Sequence, residues 1–134
     1  MKKILGLLVL PCLFISCGND ATPTQDKDNS KKLAAILDSY WEERMQLFPL
    51  EATANGDNRY NDRLTIQIAG SFRDSLGSFY KKYYDLLSGI DSNGLAGNDK
   101  ISQRLLKYEM RMGMEGLKFP THYMPINQFW SFTL

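Results

Sequence analysis

The sequence predicts an all-α fold, and three observations support this prediction. Apolar residues recur at spacings of three and four in three separate stretches, which is the periodicity of amphipathic helices. Strand-like alternation of any length and internal repeats are both absent from the sequence. No cysteine follows Cys17, so a disulfide cannot hold the domain that comes after it. Helix packing must therefore supply the stability of this small domain.

The N-terminus has the pattern of an export signal. Lys2 and Lys3 precede an apolar stretch over 4–15, and the small residue Ser16 follows it. The stretch is shorter than the roughly 20 residues that a membrane-spanning helix needs, and Pro11 interrupts it. We therefore predict that residues 1–16 form a signal peptide and not a transmembrane helix.

Cys17 is the predicted site of lipid attachment. The segment Leu13-Phe14-Ile15-Ser16-Cys17 resembles a bacterial lipobox. This resemblance implies thioether lipidation of Cys17, cleavage before it and acylation of the new amino terminus. Since several acyl chains give stable anchoring, we expect a protein held by its lipid to the inner or outer membrane of a bacterial envelope, facing the periplasm or the exterior. The alternative is an ordinary signal peptide in which Cys17 is incidental.

A polar linker is predicted over 17–30, ahead of a helical domain over 31–134. Its composition is typical of a flexible tether, although Asp20 could instead belong to a lipoprotein sorting signal. The chain has 16 cationic and 15 acidic residues, and loss of Lys2 and Lys3 leaves 14 against 15. This near-neutral balance argues against nucleic acid as a partner and against polybasic attraction to a membrane.

The first predicted helix begins at Ser30, whose hydroxyl can cap it, and ends before Pro49. Its charged residues lie mostly away from its apolar stripe. A polar, turn-rich segment follows over 55–63. The stripe consists of Leu33, Ile36, Leu37, Tyr40, Trp41, Met45 and Phe48.

Two more helices are predicted, over 66–87 and from a cap at Asn98 or Asp99 to a soft end near Gly113 and Gly116. Pro120 stops the last one. The apolar face of the second comprises Ile68, Phe72, Leu76, Phe79, Tyr80, Tyr83 and Leu87. On the third we expect Ile101, Leu105, Tyr108 and Met112 to form the apolar face, with Leu106 and Met110 beside it.

Few residues of the sequence are candidates for catalysis or for binding a metal or cofactor. His122 is the only histidine, and a hydrogen-bonded structural role is expected for it rather than a catalytic or ligand role. There is no HExxH pair to grip zinc. Glu42 and Glu43 could be paired acids, but on an amphipathic helix the solvated face is the expected place for them. The sequence itself therefore predicts no catalytic, metal or cofactor-binding residue.

Two clusters have both a structural and a functional interpretation. The run from Asp57 to Asp62 invites a calcium site, but Arg59 stands where an oxygen ligand is needed and no glutamate closes the loop, so a structural turn is expected. The aromatic residues Phe79, Tyr80, Tyr83 and Tyr84 could line a ligand groove. Core packing is the expected role, because a disulfide-free domain needs large buried side chains.

Three blocks of the chain resemble a known bacterial family. They are residues 38–42 (DSYWE), 48–53 (FPLEAT) and 56–62 (GDNRYND), and Ile90-Asp91 and residues 125–129 (PINQF) fit the same pattern in order. The chain is similar, from about Leu33 to Phe129, to the N-terminal part of the domain-of-unknown-function family eight-eight-five, which is common in Bacteroidetes lipoproteins. Together the second and third blocks are fairly specific, whereas each alone would be weak.

The resemblance implies an activity for full-length family members, but it assigns no catalytic role to the matching residues of this chain. Family members are longer, mainly helical, and resemble zinc-dependent peptidases of the gluzincin type, with an HExxH-like helix and a glutamate toward the carboxyl end. This chain contains none of that part, so no zinc ligand is carried over and zinc is expected only in a full-length member.

The chain ends on the apolar residues 129–134. We expect either that this end docks on the helices or that the chain lacks a C-terminal part of the same protein and is inactive alone. A free-standing helical binding module on the cell envelope is the alternative.

Overall fold

The computed structural model describes residues 27–124, in which three long helices form an up-down-up bundle. The long helices are α1 (Lys27–Leu47), α3 (Gly70–Ser88) and α4 (Gly97–Gly116), and the short α2 (Pro49–Ala54) follows α1. Single 3₁₀ turns occur at Asn58–Tyr60, Ser92–Gly94 and Thr121–Tyr123. Within 27–124 no residue is in a strand, so the predicted all-α class is confirmed. In that same range no helix combines the length and the apolar character needed to cross a membrane.

Helix α1 differs from its prediction at one end only. It is already helical at Lys27, so the last four residues of the predicted 17–30 linker belong to the helix, and Ser30 lies inside it and not at its cap. The prediction was wrong there because the acidic and basic residues of this stretch form helical pairs, such as Lys32 with Asp28 at 2.6 Å. At the other end Leu47 is the last residue, and Phe48 is non-helical before Pro49, as expected.

The connection between α1 and α3 contains a helix that was not predicted and a later start for α3. Pro49 occupies the first turn of α2, where a missing N–H costs nothing. Helix α3 begins at Gly70 instead of residue 66, because Thr65 Oγ1 donates a hydrogen bond to the Leu47 carbonyl oxygen and holds this segment against the end of α1. Ile68 therefore lies outside α3 and is half-exposed, and it is not on the buried face of that helix.

The main core lies between the three long helices. Phe79, Tyr83 and Leu87 of α3 are almost fully buried, and Tyr40 of α1 packs its ring against Phe79 and Tyr83 at centroid distances of 5.5 and 5.4 Å. Phe79 and Tyr83 of the α3 aromatic cluster thus have the predicted core role, whereas Tyr80 and Tyr84 are partly buried and pack against the core. Trp41 was wrongly placed in the α1 stripe, since it is 47% exposed. The core consists of Leu33, Phe79, Tyr83, Leu87, Ile90, Leu95, Leu106 and Met110.

Helices α3 and α4 run antiparallel and make the most extensive contact in the bundle. At one end Gln103 Nε2 donates to the carbonyl oxygens of Leu87 and Ile90, both at 2.9 Å, which satisfies the end of α3. At the other end Gly113 lies so near Tyr80 that an added Cβ would be 2.6 Å from the ring. Gly113 is therefore a close-approach residue of α4, and the helix continues past it to Gly116.

Candidate functional site

The predicted lipidation site lies outside the described residues. The signal peptide over 1–16, the linker as far as residue 26 and the chain end over 125–134, which includes the apolar residues 129–134, also lie outside them. Their assignments stay predictions. In the range 27–124 no group of three or more His, Cys, Asp or Glu residues is arranged to hold a metal ion.

His122 lies in the turn Thr121–Tyr123, far along the chain from any acidic cluster. Its ring packs on Tyr123 with centroids 4.1 Å apart. Its Nδ1 is buried and has no hydrogen-bond partner among the described residues, so the predicted hydrogen bond is not seen at this atom. The imidazole therefore has a packing role in the described structure. No serine or carboxylate of residues 27–124 forms a hydrogen bond with its buried Nδ1.

Glu42 and Glu43 do not form a pair, because each contacts different neighbours. Glu42 accepts hydrogen bonds from Arg59 and from Tyr60, which hold its pKa below the usual value. Partial burial alone would raise the pKa of Glu43, but hydrogen bonds from Lys82 and Tyr83 lower it overall. The Glu42 and Glu43 side chains keep 42 and 36% of their surface exposed, so both lie on a partly solvated side of α1, where each forms an ion pair with a residue distant in sequence.

The segment from Asp57 to Asp62 is a structural turn, as predicted. Gly56 opens it with a positive φ of 84°, a conformation that favours glycine. The Asp57 carboxylate accepts from the backbone N–H of Arg59 and from its guanidinium, which lowers the pKa of Asp57. Arg59 also reaches Glu42 at 2.8 Å and so ties the turn to α1. The carboxylate is thus engaged by a cation of the chain itself.

The outer face of α4 is the strongest candidate for a functional surface in the described part of the chain. Ile101, Leu105, Tyr108 and Met112 are exposed by 63, 65, 54 and 40%, respectively. We call these four residues the outer stripe. They follow one another at spacings of four, three and four, so they stand one above the other along the helix. Contiguous exposed apolar surface on a folded domain marks a place where another molecule or segment binds.

The outer stripe is the face that the sequence predicted to be buried. The structure instead buries Gln103, Leu106 and Met110 against α3. Leu106 and Met110 were expected only beside the buried face, and Gln103 was not expected in the core at all. A signal was present in the sequence, because a second apolar pair four residues apart, 106 and 110, competes with the outer stripe.

A row of cations borders the outer stripe. Lys100, Arg104, Lys107 and Arg111 have the same four, three, four spacing, displaced by one residue. We call these four the basic row. None of them forms an ion pair with a carboxylate within residues 27–124. Lys107 lies over the Tyr84 ring at 5.2 Å and Arg111 over the Tyr108 ring at 5.5 Å.

A shallow open cleft connects the basic row to the outer stripe. Its volume is about 270 Å³. Three cations and two phenol rings meet there, an arrangement that suits a carboxylate or another anionic group next to an apolar contact. The lining residues are Tyr84, Arg104, Lys107, Tyr108 and Arg111.

The opposite border of the outer stripe is engaged with α1. Glu109 accepts a hydrogen bond from Tyr40 Oη at 3.1 Å and pairs with Arg44 at 3.3 Å. Arg44 also binds Glu51 at 2.8 Å, which links α1, α2 and α4. Burial would lower the pKa of Arg44, but Glu51 and Tyr40 raise it overall. The site is therefore asymmetric, with the basic row on one side and a paired acid on the other.

Comparison with known proteins adds no relative. No protein-family model, no curated protein and no solved structure was found to match the chain. The resemblance to the family numbered eight-eight-five stays a prediction, carried by the residue blocks named above.

Proposed function

We propose that this chain is a lipid-anchored protein of the bacterial envelope whose helical domain packs against a further helical region of the same protein. In the interpretation that the resemblance implies, that region is the catalytic part of a zinc metallopeptidase-like protein, and the present chain is inactive alone. One observation carries the packing role: the outer stripe on α4 exposes four large apolar side chains at helical spacing. Fully burying each such side chain contributes roughly 1.5–3 kcal/mol, so a covered stripe is the more stable arrangement.

The DNA downstream of the Leu134 codon tests this proposal first. An in-frame continuation that encodes HExxH supports it, and a clean intergenic region contradicts it. Where a continuation exists, Leu105→Gln should change the free energy of unfolding of the chain by no more than about 0.5 kcal/mol. In the longer protein it should cost about 2 kcal/mol, because it buries an unpaired amide. Leu64→Gln, at another exposed leucine, is the control, and an equal small cost in both proteins would count against packing at α4.

The anchor has its own test. Cys17 should incorporate a labelled fatty acid in a bacterial host, and Cys17→Ser should remove the label and release the protein from the membrane fraction. Cys12→Ser is the matched control, since Cys12 lies inside the predicted signal peptide, and it should leave labelling intact. Retention of label in the Cys17→Ser protein would show that the lipobox interpretation is wrong.

A free-standing interaction module is the second candidate, and the main core favours it. Eight buried side chains from α1, α3, α4 and the α3–α4 connection already enclose one another. A module of this kind should give a monomeric or dimeric soluble domain from Ser30 onward that melts cooperatively. Aggregation of that domain, or a gradual melt, would count against it.

A further inference from the structure

We propose that the outer face of α4 binds an amphipathic helix whose apolar stripe is flanked by acidic residues. This inference rests on the proposed function and names the chemistry of the partner. It uses two sets of residues on one helix, the outer stripe and the basic row, neither of which has a partner of the matching kind within the described part of the chain.

The spacing of the outer stripe is that of a coiled-coil seam. Successive gaps of four, three and four residues assign Ile101 and Tyr108 to d positions and Leu105 and Met112 to a positions of a heptad. The f positions, Gln103 and Met110, are buried against the bundle, so the seam points directly away from the domain's own core. A seam with this geometry accepts the apolar side chains of another helix between its own.

The charges beside the seam select the partner. In the same register Arg104 and Arg111 occupy g positions, where side chains of a coiled coil meet charged residues of the facing helix. Lys107 lies next to them, and both arginines and Lys107 line the open cleft. Three neighbouring cations that pair with no carboxylate of residues 27–124 repel one another and repel a basic partner. Acidic side chains at the flanking positions of the partner helix relieve that repulsion.

Two other occupants fit the same surface less well. In a second copy of this chain placed parallel, Arg104 would face Glu109, but Glu109 is already bonded to Arg44 and Tyr40. An anionic membrane surface would attract the basic row, yet Glu109 borders the other side of the stripe and is half-exposed there. An acidic helix faces neither conflict, because only one of its flanks needs to meet the arginines.

Two synthetic four-heptad peptides provide the test. Both carry leucine at a and d and glutamine at g, and they differ only in having glutamate or lysine at e. Binding to the full 134-residue chain is followed by fluorescence anisotropy at low salt. The acidic peptide should bind at least about tenfold more tightly than the basic one, and added salt should reduce that ratio. The double variant Arg104→Glu/Arg111→Glu should reverse the preference.

Matched variants separate charge from apolar contact. Lys27→Glu/Lys31→Glu makes the same charge change at exposed positions of α1 and should leave the ratio unchanged. Leu105→Gln should weaken the acidic peptide about tenfold without a loss of helical circular dichroism. An effect of the α1 control as large as that of the α4 double variant would overturn the inference, because the attraction would then follow net charge alone.

The remaining outcomes are equally decisive. Equal binding of both peptides would overturn the acidic preference but keep α4 as a helix-binding face. Binding of neither peptide would overturn the inference. The proposed function would still be tested independently, by the effect of Leu105→Gln on the stability of the longer protein. A dimer of the chain, or adsorption to phosphatidylglycerol vesicles, that Leu105→Gln abolishes would replace the acidic helix by that occupant.

Discussion

The inner and outer faces of α4 both carry apolar side chains and have opposite environments. The inner face presents Gln103, Leu106 and Met110 to α3 and is buried, whereas the outer stripe has four large apolar side chains and is exposed. The face with the stronger apolar pattern is thus not the one that holds the bundle together. What decides the inner face is complementarity to α3, namely an amide that binds two carbonyl oxygens and a glycine that admits a tyrosine ring.

The comparison is sharpest at two adjacent leucines. Leu106→Ala should destabilise the chain by about 2–5 kcal/mol, because it opens a cavity in the core. Leu105→Ala removes the same atoms one residue earlier, at a side chain that is 65% exposed. It should change the free energy of unfolding by no more than about 0.5 kcal/mol. Urea denaturation of the two variants measures both values. Equal losses would mean that the two faces of α4 are not distinct.

The amide of Gln103 gives the next largest effect. Gln103→Leu should cost about 1–3 kcal/mol, since it leaves the carbonyl oxygens of Leu87 and Ile90 without their shared donor. Gln46→Leu is the control on the exposed side of α1 and should have little effect. If Gln103→Leu proves stabilising in thermal melts, apolar burial outweighs hydrogen bonding on the inner face and the structural role assigned to the Gln103 amide is wrong.

Two helix glycines separate close approach from helix propensity. Alanine at an exposed helix position is preferred over glycine by about 1 kcal/mol, so Gly77→Ala should stabilise, since its Cβ would meet Leu117 at an ordinary 3.5 Å. Gly113→Ala should instead cost about 1–3 kcal/mol through its clash with Tyr80. Thermal melts measure both changes. In a Tyr80→Leu background the cost of Gly113→Ala should vanish, and its persistence there would refute the clash.

The smallest effect concerns the edge of α4 that meets α1. Burial raises the pKa of Tyr40 to about 12, with Arg44 opposing and Glu109 adding to the shift. Since this value is above the usual one near 10, the contribution of Tyr40 to stability is complete below pH 10 and is lost as the pH rises toward 12. Because solvent screens this half-buried site, the contribution of Tyr40 to the free energy of unfolding should stay below about 1 kcal/mol. Tyr40→Phe should remove that part of the alkaline loss; an unchanged pH profile would contradict it.

The sequence was sufficient for the class and for the part of the main core that α1 and α3 supply, whereas it did not predict the core residues of α4 and of the α3–α4 connection. Periodicity located α1, α3 and α4, and it identified Phe79, Tyr83 and Leu87 as core residues, because α3 has a single apolar face. It failed where two faces compete, as on α4, and where a tertiary hydrogen bond overrides local pattern, as at Thr65 ahead of α3. The four cations of the basic row are evident in the sequence, but whether they form ion pairs with carboxylates depends on which residues pack nearby.

The central claim is that α4 has one face for the fold and another for a partner, and two methionines on opposite faces test it most directly. Met112 is 40% exposed and Met110 is fully buried. In the full chain, peroxide oxidation followed by mass spectrometry should modify Met112 about tenfold faster than Met110, since oxidation follows exposure. The acidic peptide should then protect Met112 and leave Met110 unchanged. Equal rates for the two residues, or a Met112 rate that the peptide does not alter, would contradict the claim.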